Sequence, residues 1–441
     1  MSKDKKSVYK PKAISGYPEW LPEERFVEQQ WFDHIRKVFE SYGFCSIETP
    51  SVEELDVLRA KGEVDKEIYV LERLHKEDDD DSEARLALHF DQTVPLARYV
   101  AQHFNDLVFP FKRYQMQRVW RGERPQAGRF REFYQCDIDV INVDALPLHF
   151  DAEMPAIIWE TLSALPGMAG EKIQLRISNR KILLGLLDAL GISDEQKIDV
   201  TRTIDKIEKI GEDAVKKLLQ ETGVSDSDID EILKLATNKD LSSVEAKGEM
   251  MAEGLSELQY VMDYLKDLPE GAAVADLSIV RGLDYYTGTV YETVFVEDPG
   301  YGSICSGGRY DDLAGSYINK ALPGVGISIG FSRLFDRLRQ QGKFDTSRKS
   351  PADILMTLPK EEDAEEARKI ARILRQRGFN VEMFHRAQKI QKQFTYAEKK
   401  GIPYVWLPDL GEVKSLADRE QVKADPQNWT PTKDTQNAKV A

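Results

Sequence analysis

Several common signatures are missing from this 441-residue chain, and each absence narrows what it can do. Cysteine occurs three times, at Cys45, Cys136 and Cys305, an odd number with wide spacing and no CxxC pair. That pattern supports neither a disulfide frame nor a zinc site and is the usage of a reducing compartment, the cytoplasm. The six histidines (His34, His75, His89, His103, His149, His385) form no ligand spacing, so no metal is expected on the protein's own side chains. No run of about 18 apolar residues occurs, so no membrane-spanning helix is expected. The basic start MSKDKKSVYKPK is not followed by an apolar stretch, and no secretory signal is expected. A basic excess is also missing: 61 Lys and Arg face 76 Asp and Glu, a net charge of −15. Wholesale nucleic-acid binding through a positive surface is thereby excluded, although a local basic site is not. There is no GxxxxGK[ST] and no GxGxxG after a strand. A bound nucleotide would have to be held by arginines on an antiparallel sheet.

The apolar content, 41%, suffices for sizeable cores, and the length suits two or three domains at roughly 150 residues each. Spacing predicts a helix over Glu23–Tyr42, ended by Gly43, and another over Thr93–His103. Ile68–Leu74 and Leu86–Phe90 read as paired strands, with the acidic run Glu77–Asp81 as a solvated loop between them. Residues 194–265 are dense in Lys, Glu and Asp, with Ile204, Ile207, Val215 and Leu219 at helical spacing, and read as a helical insertion. After a linker over Gln341–Ser350, strands and helices alternate to PYVWLP, the pattern of an α/β unit with a parallel sheet. The polar tail from Asp425 is expected to be disordered.

The stretch from Phe111 to Val143 reads as two strands joined by an arginine-rich loop. On the first, Arg113, Gln115, Gln117, Val119 and Arg121 share one face; on the second, Arg131, Phe133, Gln135, Asp137 and Asp139 do. Phe130, Tyr134, Cys136, Ile138 and Val140 form an apolar back to the second strand. A polar, charged face is poor core material. It suits the floor of a site that takes an anion at one end and a cationic or amino-bearing group at the other.

Four further stretches could carry chemistry. In HFDQTVPLARY, Asp91 and Thr93 sit where a strand gives way to a helix and could accept from a ligand ammonium, or simply cap the helix. In SIVRGLDYYTGTVYETV, Arg281 lies in an apolar context that calls for an anion, and Tyr285 and Tyr286 could line a pocket; an Arg281–Asp284 ion pair on a tyrosine-rich strand is the competing reading. The glycines of SICSGGRYDDL suit either close backbone approach to a ligand or a tight turn. In GVGISIGFSRLFDRL, a small-residue strand runs into a helix with Arg333 in its first turn, where the dipole disfavours a cation unless it has an anionic target.

Together these residues resemble the histidyl-tRNA synthetases, a family of class II aminoacyl-tRNA synthetases. RVWRGERPQAGRFREFYQCDID is similar to class II motif 2, GVGISIGFSRL to motif 3, and GFCSIETPSVE, with Pro50, to the dimer-forming motif 1. VRGLDYYTG and SGGRYDDL resemble the two signatures peculiar to the histidine enzymes. The resemblance implies an α+β catalytic domain, residues 1–345, built on a mixed, mainly antiparallel sheet with flanking helices and the 194–265 insertion. An α/β anticodon-binding domain over 351–425 and the polar tail 426–441 would follow. The implied activity is ATP- and Mg2+-dependent activation of L-histidine and its transfer to tRNA(His), by a cytoplasmic homodimer.

The resemblance also assigns roles. Arg121 would hold the α-phosphate of ATP, with Glu123, Arg129 and Arg333 completing the ATP site. Asp91, Thr93 and Gln135 would receive the histidine amino group, and Gln92 would belong to the histidine site with them. Asp139 and Tyr286 would read the imidazole with Tyr285 beside them, and Arg281 would stabilise charge between the histidine carboxylate and the α-phosphate. Asp91-Gln92-Thr93 and Asp139 stand where the common bacterial pattern has Glu-Gly-Thr and Glu. Transfer RNA would meet local basic surfaces: Arg124 and Arg129, the insertion, and Lys389–Lys400. A non-catalytic paralogue, the regulatory subunit of ATP phosphoribosyltransferase, would lack the last domain and degrade the arginines that are present here.

Overall fold

The computed structural model describes residues 9–59, 68–73, 85–126, 128–280, 285–312, 314–315 and 317–431. The acidic run Glu77–Asp81, Arg281 with Asp284, and residues 432–441 lie outside the described residues. Backbone packing divides the chain into two units. The first takes the residues up to Pro18 together with Ile35–Arg337; the second takes Glu19–His34 with the residues from Leu338 on.

Among the described residues, the first unit is organised on ten strands: β1 (Cys45–Ser46), β2 (Val52–Glu54), β3 (Leu86–Leu88), β4 (Phe111–Trp120), β5 (Glu132–Ile141), β6 (Ile173–Asn179), β7 (Ala273–Ala275), β8 (Thr289–Phe295), β9 (Cys305–Tyr310) and β10 (Gly324–Ile329). Eight of them form one sheet in the order β1-β4-β5-β10-β9-β8-β6-β7, while β2 and β3 pair separately. Only β1–β4 and β6–β7 are parallel, so the sheet is mixed and mainly antiparallel, as expected. Of the expected strand Ile68–Leu74, the described residues contribute a single bridge, Val70 to Ala87, rather than a full strand.

Helices cover the sheet because their apolar stripes need a partner surface. Helix His149–Ser163, apolar along most of its length, packs on β10, and helix Glu249–Tyr264 packs on β6 and on helix Arg180–Ala189. Among residues 194–265 the helices Asp194–Ile204, Ile207–Ile210, Glu212–Glu221 and Asp226–Ala236 bear out the insertion's helical reading. The first starts with a capping box, in which Ser193 and Gln196 exchange side-chain and backbone hydrogen bonds.

The second unit has a five-stranded sheet. Val381–Met383, Ile354–Met356 and Tyr404–Leu407 run parallel, and Glu412–Ser415 and Gln421–Lys423 add antiparallel edges. Its core is set by Trp406, Ile354, Met356 and Leu374. Trp31 meets Phe344 edge-on at 5.7 Å in the same unit. The start of the expected disordered tail is instead packed. Trp429 lies against Phe379, Tyr404 and Trp406, and Arg377 donates to the carbonyls of Pro426 and Trp429. An indole at the end of a polar stretch has apolar surface enough to hold it to the core.

Candidate active site

The alternation of the central hairpin is realised residue for residue. Arg113 pairs with Asp139, Gln115 with Asp137, Gln117 with Gln135 and Val119 with Phe133, and Arg121 N–H donates to the Arg131 carbonyl to close the ladder. Cys136, Ile138 and Val140 are buried on the back. The front is buried too: Arg113, Gln115, Gln117, Asp137 and Asp139 are all nearly inaccessible. Polar groups so placed need partners, and some have none.

One cluster lies where helix Thr93–Gln102 meets the hairpin. Asp91 Oδ1 accepts from the Val94 N–H at 3.1 Å, while its buried Oδ2 has no partner. The cap and the ligand readings of Asp91 therefore coexist, one oxygen each. Gln92 Nε2 donates to two backbone carbonyls, Gln117 at 3.0 Å and Gln135 at 3.1 Å, which leaves its Oε1 buried and unpaired. Gln135 Nε2 donates to the Ser328 hydroxyl at 2.6 Å, and its Oε1 is likewise unpaired. Three buried acceptor oxygens are thus left over, each on a side chain whose other polar atom is committed to the protein. Thr93 stands beside the Tyr285 hydroxyl without a well-formed hydrogen bond between them.

A second cluster surrounds Asp139. Tyr310 donates to its Oδ1 at 2.9 Å and Arg113 Nη2 lies 2.6 Å from its Oδ2. Tyr285 meets Tyr286 edge-on at 4.9 Å and Tyr310 at 6.2 Å. Gly326 and Gly308 follow Asp139 in the same cross-strand row. A Cβ on Gly326 would collide with the Asp139 carboxylate, and one on Gly308 would stand 2.9 Å from the Tyr286 ring. Gly308 makes room for the Tyr286 ring and the Thr289 carbonyl, and Gly326 for the Asp139 carboxylate; neither the ligand-approach nor the tight-turn reading of SICSGGRYDDL covers the role of Gly308.

Beyond Gln135 opens a cleft of about 360 Å³ lined by Arg121, Glu123, Arg129, Phe133, Ser306, Ser328 and Arg333, among others. All four residues assigned to ATP line it. Arg121 Nε donates to the Phe90 carbonyl at 3.1 Å, and its guanidinium lies 5.3 Å from the Phe133 ring centre. Arg333 donates to the Tyr301 carbonyl and stacks on the Tyr301 ring at 4.7 Å, with its Nε buried and unpaired. Burial, and secondarily the charge of Arg129, pull the Arg333 guanidinium below its usual range. Glu123 offsets Arg129 only partly, at 3.4 Å. A cleft so lined favours an anion.

Comparison with known proteins covers both units of the chain. The family model "Histidyl-tRNA synthetase" matches residues 16–334, and "Anticodon binding domain" matches 354–424. The chain is 56% identical over 436 residues to the histidine–tRNA ligase of Thermobifida fusca, covering 96% of this chain and 98% of that one. The crystal structure of histidyl-tRNA synthetase from Nostoc sp. superposes with a TM-score of 0.84 at 39% identity, covering 95% and 97% of the two chains. This chain belongs to the histidyl-tRNA synthetase family. The family's function is aminoacylation of tRNA(His). An ATP phosphoribosyltransferase regulatory subunit/histidyl-tRNA synthetase from Bacillus halodurans shares the fold, with a TM-score of 0.71 at 19% identity over 88% of this chain.

Of the residues the resemblance assigns, the structure brings Asp91, Gln92, Thr93, Gln135, Asp139, Tyr285 and Tyr286 near one another and lines the cleft with Gln135, Arg121, Glu123, Arg129 and Arg333; Arg281 lies outside the described residues. Arg113, Tyr310, Asp137 and Ser328 have no role in the resemblance. Arg113 and Asp137 were legible as members of the polar face, and Tyr310 stood inside a signature. Arg309 of that signature is structural: it grips Asp151 through two nitrogens and donates to the Leu146 carbonyl. Burial pushes Asp91 up to about 6 against the Val94 hydrogen bond, and Asp139 up to about 6 against Arg113 and Tyr310. Asp137 is pushed up to about 7, with Arg113 and Ser328 opposing.

Proposed function

We propose that this chain condenses L-histidine with ATP to histidyl-adenylate and transfers histidine to the 3′ end of tRNA(His). The observation that carries the reading is the set of three unpaired acceptors, Asp91 Oδ2, Gln92 Oε1 and Gln135 Oε1, beside an arginine-lined cleft. An amino-acid ammonium has three N–H donors and one positive charge, and it satisfies that set. Asp139, with Tyr286 and Tyr285, takes the imidazole, whose two nitrogens let polar groups reject apolar amino acids of similar size.

With the ammonium so held, the histidine carboxylate is directed towards the cleft. Its oxygen attacks the α-phosphorus of ATP, a P–O bond forms, and the bond to the leaving diphosphate breaks. The nucleophile is already ionised, so no general base is needed. Catalysis is positioning plus neutralisation of converging anions. Arg121 is assigned to the α-phosphate, and Arg281 to the charge shared between carboxylate and phosphate. Glu123, Arg129 and Arg333 hold the rest of ATP, which enters as its magnesium complex. In the second step the terminal ribose hydroxyl of tRNA attacks the adenylate carbonyl and AMP leaves.

Residues up to about 345 are assigned the chemistry and 351–425 the anticodon. Arg124, Arg129 and Lys389–Lys400 are the basic candidates for tRNA contact on this acidic protein. A cytoplasmic homodimer is the working assembly. Among the described residues no helix is long and apolar enough to cross a membrane. The test is ATP–pyrophosphate exchange with each amino acid in turn. Exchange with histidine alone is expected; none with histidine, or equal exchange with proline, sinks the reading.

A further inference from the structure

Asp137 is a third carboxylate on the floor of the site, and none of the roles assigned above uses it. It is 3% exposed and stands in register between Ser328 on β10 and Gln115 on β4. One of its oxygens, Oδ1, is buried without a partner, and Ser328, directly opposite on β10, favours the ionised carboxylate. Ser328 in turn accepts from Gln135 Nε2 at 2.6 Å.

The direction of this chain follows from what each group can do. Above about pH 7 Asp137 is ionised and can only accept, so its unpaired oxygen gives the single proton of the facing Ser328 hydroxyl its target. Ser328 then has only lone pairs for Gln135, which must turn its NH2 group towards the serine and its oxygen away. Gln92 needs no such help, because its NH2 faces two backbone carbonyls that cannot donate. Gln135 faces a hydroxyl, which would accept either orientation of the amide. Only the group behind that hydroxyl breaks the tie. A reversed Gln135 would present N–H donors to an ammonium, removing one of the three acceptors and adding a repulsive dipole.

We propose that Asp137 and Ser328 are positioning residues that set the carboxamide of Gln135, so that its oxygen faces the substrate amino group. The proposal rests on the reading of that cluster as the histidine ammonium site.

The test is histidine- and ATP-dependence of pyrophosphate exchange in Asp137→Asn, Ser328→Ala and the double variant Asp137→Asn/Gln135→Glu. In Asp137→Asn the introduced carboxamide can donate to Ser328, which frees the hydroxyl proton for Gln135 and lets its amide reverse. The expected rise in KM for histidine is about tenfold or more, the size of one lost hydrogen bond to a charged group, with KM for ATP within about twofold. The double variant keeps the net charge and replaces the Gln135 amide with a carboxylate, which accepts at both oxygens and needs no orienting. Its histidine KM is expected to return to within about threefold of wild type, since the third acceptor is restored. A merely structural role for Asp137 would not be rescued by Gln135→Glu, and failure of that rescue overturns the proposal. So does an Asp137→Asn enzyme with unchanged histidine KM. Should Asp137→Asn not fold, Ser328→Ala carries the test: a raised histidine KM supports the proposal and an unchanged one overturns it. Wild-type enzyme with no histidine-dependent exchange would instead overturn the functional reading itself, a result distinct from all of these.

Discussion

Arg113 and Asp139 stand directly opposite each other on adjacent strands, with Arg113 Nη2 2.6 Å from Asp139 Oδ2 and both side chains buried. Tyr310 holds the other carboxylate oxygen, so Asp139 is fixed from two sides before any ligand arrives. A buried pair of this kind is destabilised strongly when one partner is removed, because the remaining charge is uncompensated. Arg113→Met is therefore expected to lower stability by about 3 kcal/mol and to raise the histidine KM, with ATP affected less. Denaturant melts alongside steady-state exchange would check both; unchanged stability would remove Arg113 from the account of Asp139.

The three carboxylates make opposite demands on stability and binding. Asp91, Asp137 and Asp139 have folded values raised to about 6, 7 and 6, above the unfolded carboxylate range. The native state therefore binds more protons than the unfolded chain between about pH 4 and 7, and these groups make folding less favourable as pH rises through that window. Asp137→Asn removes the largest of the three. Relative to wild type, the variant is expected to gain stability with rising pH, by a few kcal/mol at pH 8 compared with pH 4. Melts of both proteins across that range are the measurement, and a difference that does not grow with pH would count against a raised value for Asp137.

Gly326 tests the space above the sheet. Its missing Cβ is where the Asp139 carboxylate lies, so Gly326→Ala must displace a group held by Arg113 and Tyr310. Histidine use is expected to fall by about 100-fold or more in kcat/KM, while ATP binding followed by equilibrium titration stays near wild type. Equal loss of both would point to general misfolding of the sheet.

The arginines of the cleft are expected to separate by step. Arg121→Ala should lower the exchange kcat by about 100-fold or more, the usual scale for losing a group that stabilises transition-state charge. Arg333, stacked on Tyr301, should show its loss chiefly as a higher KM for ATP. The reverse pattern would exchange the two assignments.

In the second unit, Trp429→Ala is expected to destabilise that unit by about 1–2 kcal/mol, since the half-buried indole packs against Phe379, Tyr404 and Trp406. Differential scanning calorimetry would report it, and no change would mean the contact is incidental.

The sequence alone determined a good deal. Strand alternation placed Arg113, Gln115, Gln117, Gln135, Asp137 and Asp139 on one face, because a period of two leaves no other arrangement. Motif order identified the family, and helical spacing and composition marked the insertion and the final α/β unit. Sequence could not say which polar groups on that face would satisfy one another. Arg113 reaches Asp139 through strand register, but Tyr310, Ser328 and Gln92 arrive from elements far along the chain. Only their convergence shows which oxygens are left over. The number of unpaired acceptors is a property of the folded arrangement, because hydrogen bonds are counted in space and not along the chain.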